Sequence, residues 1–155
     1  MSKNRFLFLL AALRFDDAST RDERKETDPL AGISPVLIKL VTNSQSNYTC
    51  GQYTKIDAML VPFRGRCKFR IYKQNKPAKY ELKVLVLCDA QTHYFVNGFI
   101  HSGKTKEPNP NKLYVPTLTV LSLIEPIANS NRRITADNWF SEIELLEQLK
   151  LEGLT

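Results

Sequence analysis

Apolar positions along this chain change their period more than once, and each change marks an element. Leu7, Leu10 and Leu13, with Phe6 beside them, fall on one face of a helix over residues 2–14. Residues 16–28 are dominated by charge, offer nothing to bury, and are expected as a loop. Ile33, Val36, Leu37, Leu40 and Val41 keep the i, i+3, i+4, i+7, i+8 spacing of a second helix. Pro35 suits its first turn, or kinks a helix that starts at Pro29. Residues 43–51 read as polar and turn-like. From Tyr53 the period is two: Ile56, Ala58 and Leu60 share one face of a strand to Val61, with Asp57 on the other.

Residues 80–88 begin alternating and end as a continuous apolar run, the pattern of a central strand covered on both faces. Asp89 to Thr92 is a turn and His93 to Ile100 a returning strand, so 80–100 forms a hairpin. Residues 104–112 form a loop. Thr and Val over 113–125 favour strand, but Leu113, Thr117, Val120, Leu121 and Ile124 have helical spacing, and Pro116 and Pro126 fit its start and stop. Helix is the reading taken. Arg133 to Asp137 is a short strand. Ser141 with Glu144 reads as a capping box for a last helix whose apolar face is Ile143, Leu146 and Leu149, closed by Gly153.

Composition narrows the class. The chain has 155 residues, 43% hydrophobic and 25% charged, which is a globular balance. No apolar run reaches membrane-spanning length. Lys3 and Arg5 before Phe6–Leu13 look like a short signal peptide, but Arg5 abuts the run, Arg14 closes it and no small-residue cleavage site follows, so a helix is the better reading. Cys50, Cys67 and Cys88 are odd in number and match no zinc spacing, which points to reduced thiols in an intracellular protein. The formal net charge of +6 makes an acidic partner plausible.

Two carboxylates stand out. Asp57 lies within a mainly apolar strand, and Asp137 ends a strand ahead of Asn138-Trp139-Phe140. An ionised carboxylate near a core needs a partner or a cation. Each is either a functional group or a capping or turn aspartate. The stretch from Arg64 to Lys83 sets Arg64, Arg66, Lys68, Arg70, Lys73, Lys76, Lys79 and Lys83 against Glu81 alone, with Phe63, Phe69, Tyr72 and Tyr80 between them. That is either a solvated face or a ridge that neutralises phosphates and stacks bases. Asp89 reads as a turn residue, Asp16 and Asp17 as solvated surface, and His93 and His101 have no ligand partners at useful spacing.

Three stretches carry a family resemblance. Ile56-Asp57-Ala58-Met59-Leu60-Val61-Pro62-Phe63-Arg64-Gly65-Arg66-Cys67, then Asn75-Lys76-Pro77-Ala78-Lys79-Tyr80, then Thr135-Ala136-Asp137-Asn138-Trp139-Phe140-Ser141 resemble, in order, the hallmarks of piggyBac-type transposases. Arg5-Phe6 through Asp16-Asp17 and Asp28-Pro29-Leu30 through Val36 are similar to the segments that precede them. The resemblance implies an α/β fold: an incomplete ribonuclease-H-like transposase core, a mixed sheet with flanking helices over 53–155, preceded by a small helical segment over 1–52. It implies that Asp57 and Asp137 are two of three catalytic aspartates holding two Mg²⁺ or Mn²⁺ ions for phosphoryl transfer on DNA. It implies that Arg64, Arg66, Lys68, Arg70, Lys73, Lys76 and Lys79 lie along the DNA path, in a nuclear protein with no membrane and no small-molecule substrate.

Departures set a further expectation. Ala58 stands where the family usually has Glu, Glu81 where it has Gly, and Ser34 where it has Arg. The third aspartate is expected downstream of Thr155, so the expectation is a truncated fragment without cleavage activity. The alternative is a non-catalytic module that binds DNA or associates with a full-length transposase relative through an open sheet edge.

Overall fold

The period-two segments form one mixed sheet. In the computed structural model β1 (Tyr53–Pro62) runs antiparallel to β3 (Tyr80–Asp89), β3 antiparallel to β4 (Phe95–Ile100), and β1 parallel to β5 (Arg133–Ala136). A two-residue β2 (Ile71–Tyr72) pairs with the start of β3 on the edge that β4 occupies further along. The structure describes residues 1–75, 77–103 and 112–155. Lys76 and all but the last residue of the loop expected over 104–112 lie outside the described residues.

The described residues form five α-helices: α1 (Lys3–Ala12), α2 (Arg21–Thr27), α3 (Ser34–Asn47), α4 (Val115–Ile124) and α5 (Ile143–Leu151). The chain divides into two compact units, Met1–Leu40 and Val41–Thr155, with α3 crossing the division. No helix among the described residues is long and apolar enough to cross a membrane.

In the first unit, α1 forms where the apolar period placed it, with Ser2 accepting the Arg5 N–H at its start. None of its residues is buried. The charged stretch after it corrects the sequence reading, because residues 21–27 are helical rather than loop. The cause is an ion-pair cluster. Asp16 receives Arg21 at 2.5 Å and Arg24 at 2.7 Å, and its side chain is only 3% exposed. Arg24 also donates to the Ala31 carbonyl. The Arg21 hydrogen bond, against the cost of burial, holds the Asp16 carboxyl at a pKa of about 2. α3 also exceeds its forecast, running to Asn47 through residues expected as turn.

The core of the second unit lies between the sheet and its C-terminal helices. Ile56, Leu85, Leu87 and Val96 of the sheet meet Val120, Leu123 and Ile124 of α4 and Leu145 and Leu149 of α5, with Phe140 and Leu154 filling between them. Leu85, Val86 and Leu87 are buried in succession, as a strand covered on both faces requires. Pro126 does not stop the chain outright; a 3₁₀ turn over Glu125–Ile127 extends α4.

The start of α5 departs from the sequence reading. Glu142, not Ser141, is the N-cap residue, and the Ser141 hydroxyl donates to the Asp137 carbonyl. Glu144 accepts the Tyr114 N–H instead of closing a capping box. The buried face is Leu145 and Leu149, while Ile143 and Leu146 are exposed. At the other end Gly153, at φ +62°, completes a Schellman closure: its N–H donates to Lys150 and that of Leu154 to Leu149.

Candidate functional site

The parallel pairing of β1 with β5 builds the site. Arg132 clamps the entry by donating to the Cys50 and Gly51 carbonyls, and the Thr54 hydroxyl donates to the Arg133 carbonyl. The register then runs from Tyr53 opposite Arg133 to Ile56 opposite Ala136. Asp57 is the next position on β1, and Asp137 directly follows the last residue of β5. β5 stops at Ala136, which leaves this edge of β1 open. A cavity of about 380 Å³ occupies the opening, lined by Asp57, Asp137, Leu60, Ile71, Lys73, Lys83 and Trp139 among others.

Each carboxylate is held by its own neighbour. Asp57 accepts the Ala58 N–H and Asp137 the Asn138 N–H, both through Oδ1 at 2.7 Å. Asp137 also caps the 3₁₀ turn Asn138–Phe140, so it is a capping residue and a cavity residue at once. Both side chains are exposed. Their hard oxygen donors suit Mg²⁺ or Mn²⁺. Among the described residues no group of three His, Cys, Asp or Glu gathers that could hold a metal ion.

The cationic segment lies next to this cavity along the chain. Arg64, Arg66 and Lys68 are exposed and alternate with less exposed Phe63, Gly65, Cys67 and Phe69. Arg70 donates to the Gly65 carbonyl and sits 3.9 Å from the Tyr80 ring centroid. Tyr80 in turn lies against Tyr72. Lys73 reaches the cavity itself, while Lys79 is exposed at the start of β3.

Two residues gain a place that the sequence did not give them. Lys83 stood at the end of a charge run and Trp139 inside a motif. The structure puts the Lys83 ammonium 4.0 Å from the Trp139 ring centroid, on the cavity wall. Burial first, and Lys73 second, lower the Lys83 pKa below the usual lysine value. Asp89 holds to its turn role and adds a longer tie. It is buried, accepts N–H groups from Gln91, Thr92 and Gly51, and receives the Tyr48 hydroxyl.

Comparison with known proteins agrees with this architecture. The family model described as "Transposase IS4" matches residues 1–155. A piggyBac transposase, solved by cryo-electron microscopy as a synaptic complex with hairpin DNA, superposes at a TM-score of 0.87 with 38% sequence identity. The match covers 100% of this chain and 32% of that one, so the chain spans about a third of its relative's length. The mixed sheet with flanking helices is thus of the ribonuclease-H-like kind. The chain belongs to the piggyBac-type transposases.

Proposed function

We propose that residues 53–155 supply part of a DNA-transposing catalytic core, in which Asp57 and Asp137 share a divalent cation and the segment from Arg64 to Lys79 carries DNA phosphates. The observation behind this reading is that both aspartates line one cavity at the open edge of β1. A bound Mg²⁺ or Mn²⁺ would supply Lewis-acid activation of a phosphodiester. The chain's own part is to hold the two oxygen donors in register and to present positive charge beside them. In this reading the substrate is chromosomal DNA and the protein works in the nucleus.

With two carboxylate donors rather than three among the described residues, the 155-residue chain alone is expected not to nick DNA. Calorimetric titration with Mn²⁺ tests the pair: Asp57→Asn and Asp137→Asn should each abolish binding. Binding untouched by both substitutions would refute the site. Reversing Arg64, Arg66 and Arg70 together should weaken duplex affinity and flatten its salt dependence. Asp57-dependent nicking by the isolated chain would overturn the inactive reading.

A second reading is a transposase-associating module that would pair through the far edge of the sheet. β5 is the last strand in the sheet order among the described residues. Thr155 already takes part of its outer edge, donating to Arg132 and accepting from Ile134, so a partner strand would have to displace it. Association with a full-length relative that persists at high salt would support this reading.

A further inference from the structure

The cavity that holds Asp57 and Asp137 also has cationic lining, in Lys73 and Lys83. Among the described residues, neither lysine comes within ion-pair distance of either aspartate. Positive and negative groups therefore line the same space without cancelling each other.

Lys83 is the better fixed of the two cations. It directly precedes Val84, where the β3–β4 register begins, and its carbonyl accepts the His101 N–H at 2.8 Å. On the other side it pairs with Leu60 of β1. Its ammonium rests on the Trp139 ring, which meets Phe140 edge-on at 4.7 Å between centroids. Phe140 is buried in the core, so the aromatic brace is anchored from below. A ring attracts an ammonium but does not neutralise it. With no carboxylate within ion-pair distance among the described residues, the ammonium is open to an anion that enters the cavity.

We propose that Lys83, braced by Trp139, binds a non-bridging phosphate oxygen of a nucleic-acid strand and so fixes that phosphodiester against the Asp57–Asp137 pair. This rests on reading the cavity as a DNA site. It adds a positioning residue outside the carboxylate set, with a different task from the exposed ridge. Arg64, Arg66 and Lys68 would hold the strand by charge alone, whereas Lys83 would set where along the strand one phosphate stops.

The chain has a single tryptophan, so its emission reports on this cavity directly. The test titrates the full chain, Lys83→Met and Lys83→Arg with a DNA hairpin oligonucleotide, with inorganic phosphate and with Mn²⁺. The oligonucleotide should change Trp139 emission in the parent chain, whereas inorganic phosphate at the same concentration should not. Lys83→Met should lower oligonucleotide affinity about tenfold and reduce the salt slope by about one. Lys83→Arg should retain most of the affinity. Mn²⁺ should still quench Trp139 in both variants, in Lys83→Met at no higher concentration than in the parent because a neighbouring positive charge is gone, which also shows that each is folded.

Unchanged affinity and slope in Lys83→Met would overturn the proposal. So would a Lys83→Arg protein as weak as Lys83→Met, because packing on the ring rather than charge would then be what matters. An equal response to inorganic phosphate would overturn the assignment to a nucleic-acid strand. Mn²⁺ quenching that ignores Asp57→Asn would instead refute the carboxylate site, so the two failures are distinguishable.

Discussion

Replacing Phe140 by alanine tests whether the core positions the site. Phe140 is 1% exposed and ends the 3₁₀ turn that Asp137 caps. Its ring joins the cluster formed by the sheet, α4 and α5. Truncating a fully buried phenylalanine costs about 3–5 kcal/mol. Loss of the edge contact with Trp139 adds little, about 0.5 kcal/mol, because Trp139 is itself half exposed. A drop of about 4 kcal/mol is therefore expected in urea unfolding followed by far-ultraviolet circular dichroism.

The same change removes the anchor under Trp139 and lets the Asp137 turn move. Mn²⁺ affinity at the Asp57–Asp137 pair should fall even under conditions where the variant is still folded. Phe140→Leu keeps most of the volume and serves as the milder comparison, with a smaller stability loss and near-parent metal binding. A Phe140→Ala protein within 1 kcal/mol of the parent, or one that is destabilised yet binds Mn²⁺ as the parent does, would refute the link between core and site.

Other substitutions probe separate parts of the argument. Asp89→Ala leaves the Gly51, Gln91 and Thr92 N–H groups and the Tyr48 hydroxyl without their shared acceptor, so a loss of about 3 kcal/mol is expected in the same unfolding assay. Gly153→Ala forces a side chain into φ +62° and brings a Cβ to 3.1 Å from the Asn129 Cα; about 1 kcal/mol or more should be lost, read as a lower thermal midpoint. Asp16 titrates at about 2 in the folded chain and near 3.8 when unfolded. Its stabilising contribution is thus complete above about pH 4 and disappears as pH falls through 2, so amide protection factors in α2 should drop across that window and hold steady from pH 5 to 7.

The sheet was legible because a half-buried strand must alternate, and β1 and β3 alternate where one face meets the core. The helices were harder to read for physical reasons. α2 contains no apolar stripe, and its residues are organised by arginines that reach back to Asp16. β2 is too short to have a period and exists through its pairing with Tyr80 and Glu81. In α5 the frame was set by the wrong cap. Ser141 is occupied with the Asp137 turn, so Glu142 takes the N-cap, and the helix buries Leu145 and Leu149 instead of Ile143 and Leu146. Asp57 and Asp137 stood out in sequence as carboxylates in strand-like surroundings. Lys83 did not, because only the pairing of β3 with β1 brings it to Trp139.

β1 sets the chemistry of the cavity through two registers at once. Its pairing with β3 places Lys83 opposite Leu60, and its pairing with β5 delivers the turn carrying Asp137 and Trp139 to the cavity that Asp57 lines. A slip of one residue in either pairing turns side chains to the opposite face of the sheet. Such a slip in β1 would expose Ile56, which is 2% exposed and faces Leu87, and would drive Asp57 into the core. Exposing one such side chain costs about 2 kcal/mol, and burying an unpaired carboxylate costs more. The apolar contacts of Ile56, Leu85 and Leu87 therefore fix more than stability. By forbidding the slipped register, they hold Lys83 on their own face of the sheet and Asp57 on the other, both still lining one cavity, and the local charge pattern follows from the packing of the core face.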